Sequence, residues 1–151
     1  MPQLMKEEVI YENIFRYLKL IKLYFFEDGT IALENFISNN RIDFIFLSKI
    51  SLLEFESTLW KKVRTKELLE GEVKTALQAF EIDKNKFIFI PITNSILKNA
   101  QHLLSKYGLD GLRTLDSIQL SCCLEIKNET DKYFTADKLL LNIFEKENLP
   151  T

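Results

Sequence analysis

Short apolar runs alternate with longer amphipathic stretches along the chain. Phe44-Ile-Phe-Leu47, Phe87-Ile-Phe-Ile90 and Lys132-Tyr-Phe-Thr135 are brief, and the second is stopped by Pro91. Runs of this kind suit strands buried on both faces, as in a parallel sheet. Between them apolar residues recur at helical spacing, as with Ile31, Leu33, Phe36 and Ile37 over 30–38, and Leu52, Phe55, Leu59 and Trp60 over 51–63. The same period predicts helices over 67–80, 93–107, 114–126 and 137–147. Ser51, with Glu54 three residues on, has the form of a capping box, and Gly108 stands where a glycine closes the preceding helix. Strands separated by helices predict an α/β fold with a doubly wound parallel sheet and right-handed crossovers. Residues 7–26 are ambiguous. Apolar positions 10, 14, 17, 18, 21 and 25 fit one continuous helix, but Val9 to Phe15 also reads as a short strand followed by a helix. Periodicity alone leaves both open.

Composition narrows the class. The 151 residues are the size of one domain, expected to span 1–151. Hydrophobic residues make up 46% and charged residues 28%, which excludes disorder as the main state. Twelve phenylalanines predict a bulky aromatic core. A net charge of −2 argues against nucleic-acid binding through overall charge, so any such chemistry must come from a local site. The two cysteines, Cys122 and Cys123, are adjacent and read as small buried helix residues in a reducing cytoplasm. One histidine and no CxxC make zinc implausible. No apolar run reaches spanning length and the N-terminus carries acids in place of a signal-peptide core, so a cytoplasmic protein without membrane attachment is expected.

Chemistry in open α/β sheets sits at the carboxyl ends of the strands. Three acids fall there: Glu54 in the first turn after Phe44–Leu47, Asp116 in the first turn of the helix from Thr114, and Asp137 where a strand ends and a helix begins. Each alone is explained by capping and the helix macrodipole. Three carboxylates converging on one spot would repel, so convergence calls for a cation, and oxygen ligands suit Mg²⁺ or Mn²⁺.

The same residues carry a family resemblance. Leu112-Arg-Thr-Leu-Asp-Ser-Ile-Gln-Leu120, followed by Tyr133-Phe-Thr-Ala-Asp-Lys-Leu-Leu140, resembles the C-terminal half of PIN domains of the VapC toxin type. Leu47-Ser-Lys-Ile-Ser-Leu-Leu-Glu-Phe-Glu-Ser57 resembles the family's second motif, and Lys22-Leu-Tyr-Phe-Phe-Glu-Asp-Gly29 the segment after its first. The resemblance covers roughly Ile14 to Leu149. It implies a Rossmann-like parallel sheet of four to five short strands and a Mg²⁺-dependent endoribonuclease of a toxin–antitoxin pair. It also implies a cognate antitoxin as partner, RNA as substrate of an active member, and a homodimer. The family's metal-ligating, catalytic carboxylates carry over onto Glu54, Asp116 and Asp137, and Ser48 and Thr135 match polar residues that support the site.

One departure bears on activity. The family opens with a strand ending in Asp followed by a small hydroxyl residue. Counted back without a gap from Lys22, that position is Arg16, followed by Tyr17 and Leu18. No Asp precedes Asp28, and Glu12 stands four residues early. One of the family's four carboxylates is thus replaced by a cation, a two-charge swing that should weaken or abolish divalent-cation binding. Asn148-Leu-Pro-Thr151 stops where the family often adds a last edge strand, which is expected to be short or missing.

Other features support smaller expectations. Lys61, Lys62, Arg64 and Lys66 form a basic helix end, read as complementing the helix dipole, with RNA phosphate contact as the alternative. His102 reads as structural or surface, Trp60 as a core or interface anchor, and Glu56 as solvated. A helix pair over 18–25 and 30–38, with the Tyr24-Phe-Phe26 cluster, is expected to offer a subunit or antitoxin surface. Three functions compete: a metal-dependent endoribonuclease, a PIN-like protein that has lost catalysis and acts by protein binding, and a generic α/β protein. Arg16 separates the first two.

Overall fold

The computed structural model describes residues 10–17, 35, 38–39, 41–135 and 137–151. Strands β1 (Ile10–Tyr17), β2 (Arg41–Ser48), β3 (Phe87–Ile90) and β4 (Lys132–Thr135) form a four-stranded sheet in the order β3-β2-β1-β4. Every pairing is parallel. Helices α1 (Ile50–Arg64) and α2 (Glu70–Asp83) link β2 to β3. Helices α3 (Asn94–Tyr107) and α4 (Thr114–Glu125) link β3 to β4, and α5 (Lys138–Lys146) follows. No helix among the described residues is long and apolar enough to cross a membrane.

β1 resolves the ambiguity of the N-terminal segment. It is a strand two residues longer at its carboxyl end than the sequence pattern placed it, and it pairs on both sides, Ile14 with Ile45 of β2 and with Lys132 of β4. Hydrogen bonding along both edges of a central strand outweighs helical periodicity in 10–17. The expected helix pair and the Tyr24-Phe-Phe26 cluster lie outside the described residues, apart from Asn35, Ser38 and Asn39, which are helical.

Successive residues of β2 point to opposite faces, so Phe46 and Leu47 enter different cores. Leu47 packs with Phe55 and Leu59 of α1 and Val73, Ala76 and Phe80 of α2. The spacing of these residues is the helical stripe read in the sequence for α1. Phe80 is the hub of an aromatic set, 5.3 Å from Phe55 and 6.3 Å from Phe87 between ring centroids. On the other face Phe46 joins Ile96, Leu103, Leu120, Tyr133, Ile143 and Phe144 from α3, α4, β4 and α5.

α4 is not amphipathic, because every residue from Ser117 to Cys123 is buried. Its neighbours lie on several sides. Ser121 accepts from the Asn99 amide at 3.2 Å and donates to the Ile96 carbonyl at 2.8 Å. The Tyr133 hydroxyl donates to the Cys123 carbonyl at 3.0 Å, and burial pushes its pKa up to about 12. Cys122 and Cys123 are free and buried, as expected of small residues in a crowded helix.

Two local expectations are corrected. Gly108 is right-handed (φ −60°) and begins a short 3₁₀ turn. The left-handed residue is Gly111 (φ 108°), where any side chain would be strained. α2 starts at Glu70, not Glu67, because Lys66 takes a positive φ of 62° and Glu72 accepts from the Leu69 backbone N–H at 2.7 Å. After α5, the Tyr133 N–H donates to the Pro150 carbonyl at 2.7 Å. The tail therefore lies along β4 by this contact, and among the described residues there is no fifth strand.

Candidate functional site

The strand order locates the crevice. The chain steps outward from β1 to β2 to β3, then crosses back to place β4 on the other side of β1. Connections leaving in opposite directions open a crevice at the carboxyl ends of β1 and β4, the position where open α/β sheets bind ligands. Tyr17 and Thr135 are register partners at that end, preceded by Arg16 and Phe134.

Three helix starts meet there. Gln119, one turn beyond Asp116 on α4, donates from Nε2 to Glu54 Oε2 at 2.9 Å and to Ser51 Oγ at 3.2 Å, which ties the N-terminal halves of α4 and α1 together. Gly111, in the approach to α4, lies against Leu139 of α5, whose side chain would stand 3.5 Å from a Cβ on the glycine. Glu54 and Asp116 are half-buried and Asp137 is exposed. Asp116 is in the first turn of α4 and Asp137 directly precedes α5, as the sequence placed them. Glu54 falls just past the first turn of α1, because that helix begins at Ile50, ahead of Ser51.

Local bonds hold these side chains. Asp137 is the N-cap of α5: its Oδ1 accepts from the Leu140 N–H at 2.9 Å, and its own N–H donates to Thr135 Oγ1 at 3.1 Å. Thr135 thus fixes the backbone from which Asp137 projects. Ser48 is fully buried, and its Oγ accepts from the Ile50 N–H at 3.3 Å at the entry to α1. Burial pushes the pKa of the adjacent Cys122 thiol up, and Ser48 partly offsets this. Ser51, expected as the N-cap of α1, lies inside the helix instead, and its hydroxyl serves Gln119.

As placed, these side chains do not make a metal cage. Among the described residues no three His, Cys, Asp or Glu side chains stand close enough together to hold an ion. One oxygen of Glu54 is engaged by Gln119 and one of Asp137 by its own helix.

The other singled-out residues lie apart. Lys61, Lys62 and Arg64 occupy the last turn of the 15-residue α1, about 20 Å along the helix from its start at the crevice. Lys62 pairs with Glu67 at 3.0 Å. His102 is exposed on α3. Trp60 packs at the rim of the α1–α2 core and donates to Glu56 at 3.3 Å, so Glu56 is not simply solvated.

Two residues that the pattern did not single out matter. Gln119 is buried between Ile118 and Leu120, and a long polar side chain between two apolar residues was the available signal. Glu147 accepts from Lys106 at 2.7 Å and from the Tyr107 hydroxyl, and its carbonyl accepts from Lys127 at 2.8 Å. It staples the ends of α3 and α5 to the turn after α4, and nothing in its local sequence signals this.

A PIN domain family model matches residues 20–143. No curated protein sequence matches the chain. Among solved structures, the crystal structure of VapBC2 from Rickettsia felis bound to a DNA fragment from its promoter is similar in fold, with a TM-score of 0.52 and 17% identity over 94% of each chain. The family match spans the carboxyl-edge acids and most of the sheet, and the similar structure covers nearly the whole chain, so this protein belongs to the PIN domain family.

Proposed function

We propose that this protein is the toxin-type member of a VapBC-like pair, with a crevice for an RNA phosphodiester walled by Glu54, Asp116 and Asp137 and supported by Ser48 and Thr135. The observation that carries this reading is the meeting of three acid-bearing helix starts at the carboxyl edge of the sheet in a PIN-family chain. Its partners on this reading are a cognate antitoxin protein, as in the VapBC2 complex similar in fold, a second copy of the chain, and RNA, all in the cytoplasm. The family's activity is RNA hydrolysis with Mg²⁺ or Mn²⁺ held by such acids.

A specific feature favours a second reading, in which hydrolysis is impaired and the protein acts mainly by binding its partners. Arg16 stands in β1 one residue before the carboxyl end, in register with Phe134 of β4, where the family places its first acid. A cationic residue in place of an acid at this register position works against the binding of a divalent ion. The carboxylates of Glu54 and Asp137 are meanwhile held by protein N–H groups. We infer a crevice of ribonuclease type with weak affinity for divalent cations and little hydrolytic activity.

A structured RNA incubated with the unmodified protein and Mg²⁺ or Mn²⁺ is expected to be cleaved slowly, and the residual cleavage is expected to vanish in Asp116→Asn. Cleavage that survives Asp116→Asn at full rate would place the reacting site elsewhere.

A further inference from the structure

Gln119 is out of keeping with its surroundings. It is 3% exposed and sits between Ile118 and Leu120 in a helix turn where every neighbour is buried. Its Oε1 is buried with no hydrogen-bond partner among the described residues. A buried acceptor left unpaired costs free energy, and a leucine or methionine would fill the same volume without that cost. What the amide adds is a pair of donors aimed at α1, one toward Glu54 Oε2 at 2.9 Å and one toward Ser51 Oγ at 3.2 Å. The orientation of the amide follows from chemistry, because an ionised carboxylate only accepts and Nε2 must therefore face Glu54.

We propose that Gln119 is a positioning residue for Glu54. Its amide clamps the Glu54 carboxylate beside the Ser51 hydroxyl and sets the approach of α1 to α4. Glu54 extends on a flexible side chain from the first two turns of α1, and a hydrogen bond to a charged acceptor from a rigid, buried donor is among the stronger restraints available to it. Gln119 also lies one turn from Asp116, so the same clamp fixes the spacing of two of the crevice acids. This inference rests on the assignment of Glu54 to the crevice, but its test does not depend on hydrolysis.

The test is NMR on ¹⁵N-labelled protein, reading the side-chain amide protons of Gln119. In the unmodified protein both protons are expected to be separately resolved and protected from exchange with water. In Glu54→Ala the proton directed at the carboxylate should move upfield and exchange faster, whereas in Ser51→Ala only the other proton should change. Gln119 resonances that superimpose in Glu54→Ala and the unmodified protein would overturn the proposal. A melting cycle gives an independent check. In the cycle of Gln119→Met, Glu54→Ala and the double variant, the double variant should lose less than the sum of the two single losses, since the clamp can be lost only once. Additive losses in melting temperature would contradict it. RNA that is not cleaved under any condition would count against the hydrolytic reading but leave both of these outcomes as they stand.

Discussion

Arg16→Asp is expected to convert a crevice with little affinity for divalent cations into one that binds Mn²⁺. The change replaces a positive charge by a negative one in β1 beside β4, at the end of the sheet where the starts of α1, α4 and α5 meet. At roughly 6 Å in a water-like dielectric, a unit charge and a divalent ion interact by about 1.4 kcal/mol. A swing of two charges is then worth about 3 kcal/mol, or about a hundredfold in affinity. A less polar crevice would raise this figure. Calorimetric titration of both proteins with Mn²⁺ checks it. Equal affinities would show that Arg16 does not govern the crevice. The same variant should gain RNA cleavage, because a fourth carboxylate completes the family's acid set.

The second large effect concerns stability and pH. Burial pushes the Glu147 carboxyl up, but hydrogen bonds from Lys106 and Tyr107 and the charges of Lys106 and Lys127 outweigh it and hold the group below the ordinary carboxylate range. A carboxylate whose folded pKa is depressed contributes stability that is present above its unfolded pKa. That contribution is lost as the pH falls through the folded pKa. Glu147→Gln keeps the shape but removes the charge, and should cost about 2 kcal/mol at neutral pH. In a chain of this size that corresponds to a melting temperature lower by roughly 4–8 °C. The gap between the two proteins should close as the pH falls below the ordinary carboxylate range. A gap that stays constant down to strongly acidic pH would show that the charge of Glu147 contributes nothing.

Much of the fold was legible because its signals are local. Phe87–Ile90 and Lys132–Thr135 are strands with the boundaries their apolar runs gave. Thr93 caps α3 by accepting from the Ile96 N–H at 3.2 Å, and Asp137 caps α5. Such caps join residues three apart, within reach of any sequence pattern. What was not legible depends on distant partners. The strand character of Ile10–Tyr17 comes from pairing on both edges with segments far along the chain. Ser51 has the form of a cap but lies one residue inside the helix, and its partner Gln119 is 68 residues away. Glu147 meets Lys106 and Tyr107 across about 40 positions, which no periodicity encodes. The acids of the crevice fall between these cases. Their placement near helix starts is local, whereas the contacts that link those helices, Gln119 to Glu54 and Gly111 to Leu139, join residues distant in the chain.

Uptake of a divalent ion by the unmodified crevice separates an active ribonuclease from an impaired one. Mn²⁺ titrated into the unmodified protein and followed by the electron paramagnetic resonance of the free ion measures this directly, with cleavage of a structured RNA read in the same samples. The free-ion signal is predicted to rise nearly as it does in buffer, with little metal-dependent cleavage. Stoichiometric uptake of Mn²⁺ at micromolar concentration, accompanied by cleavage that requires the metal, would contradict the role assigned to Arg16.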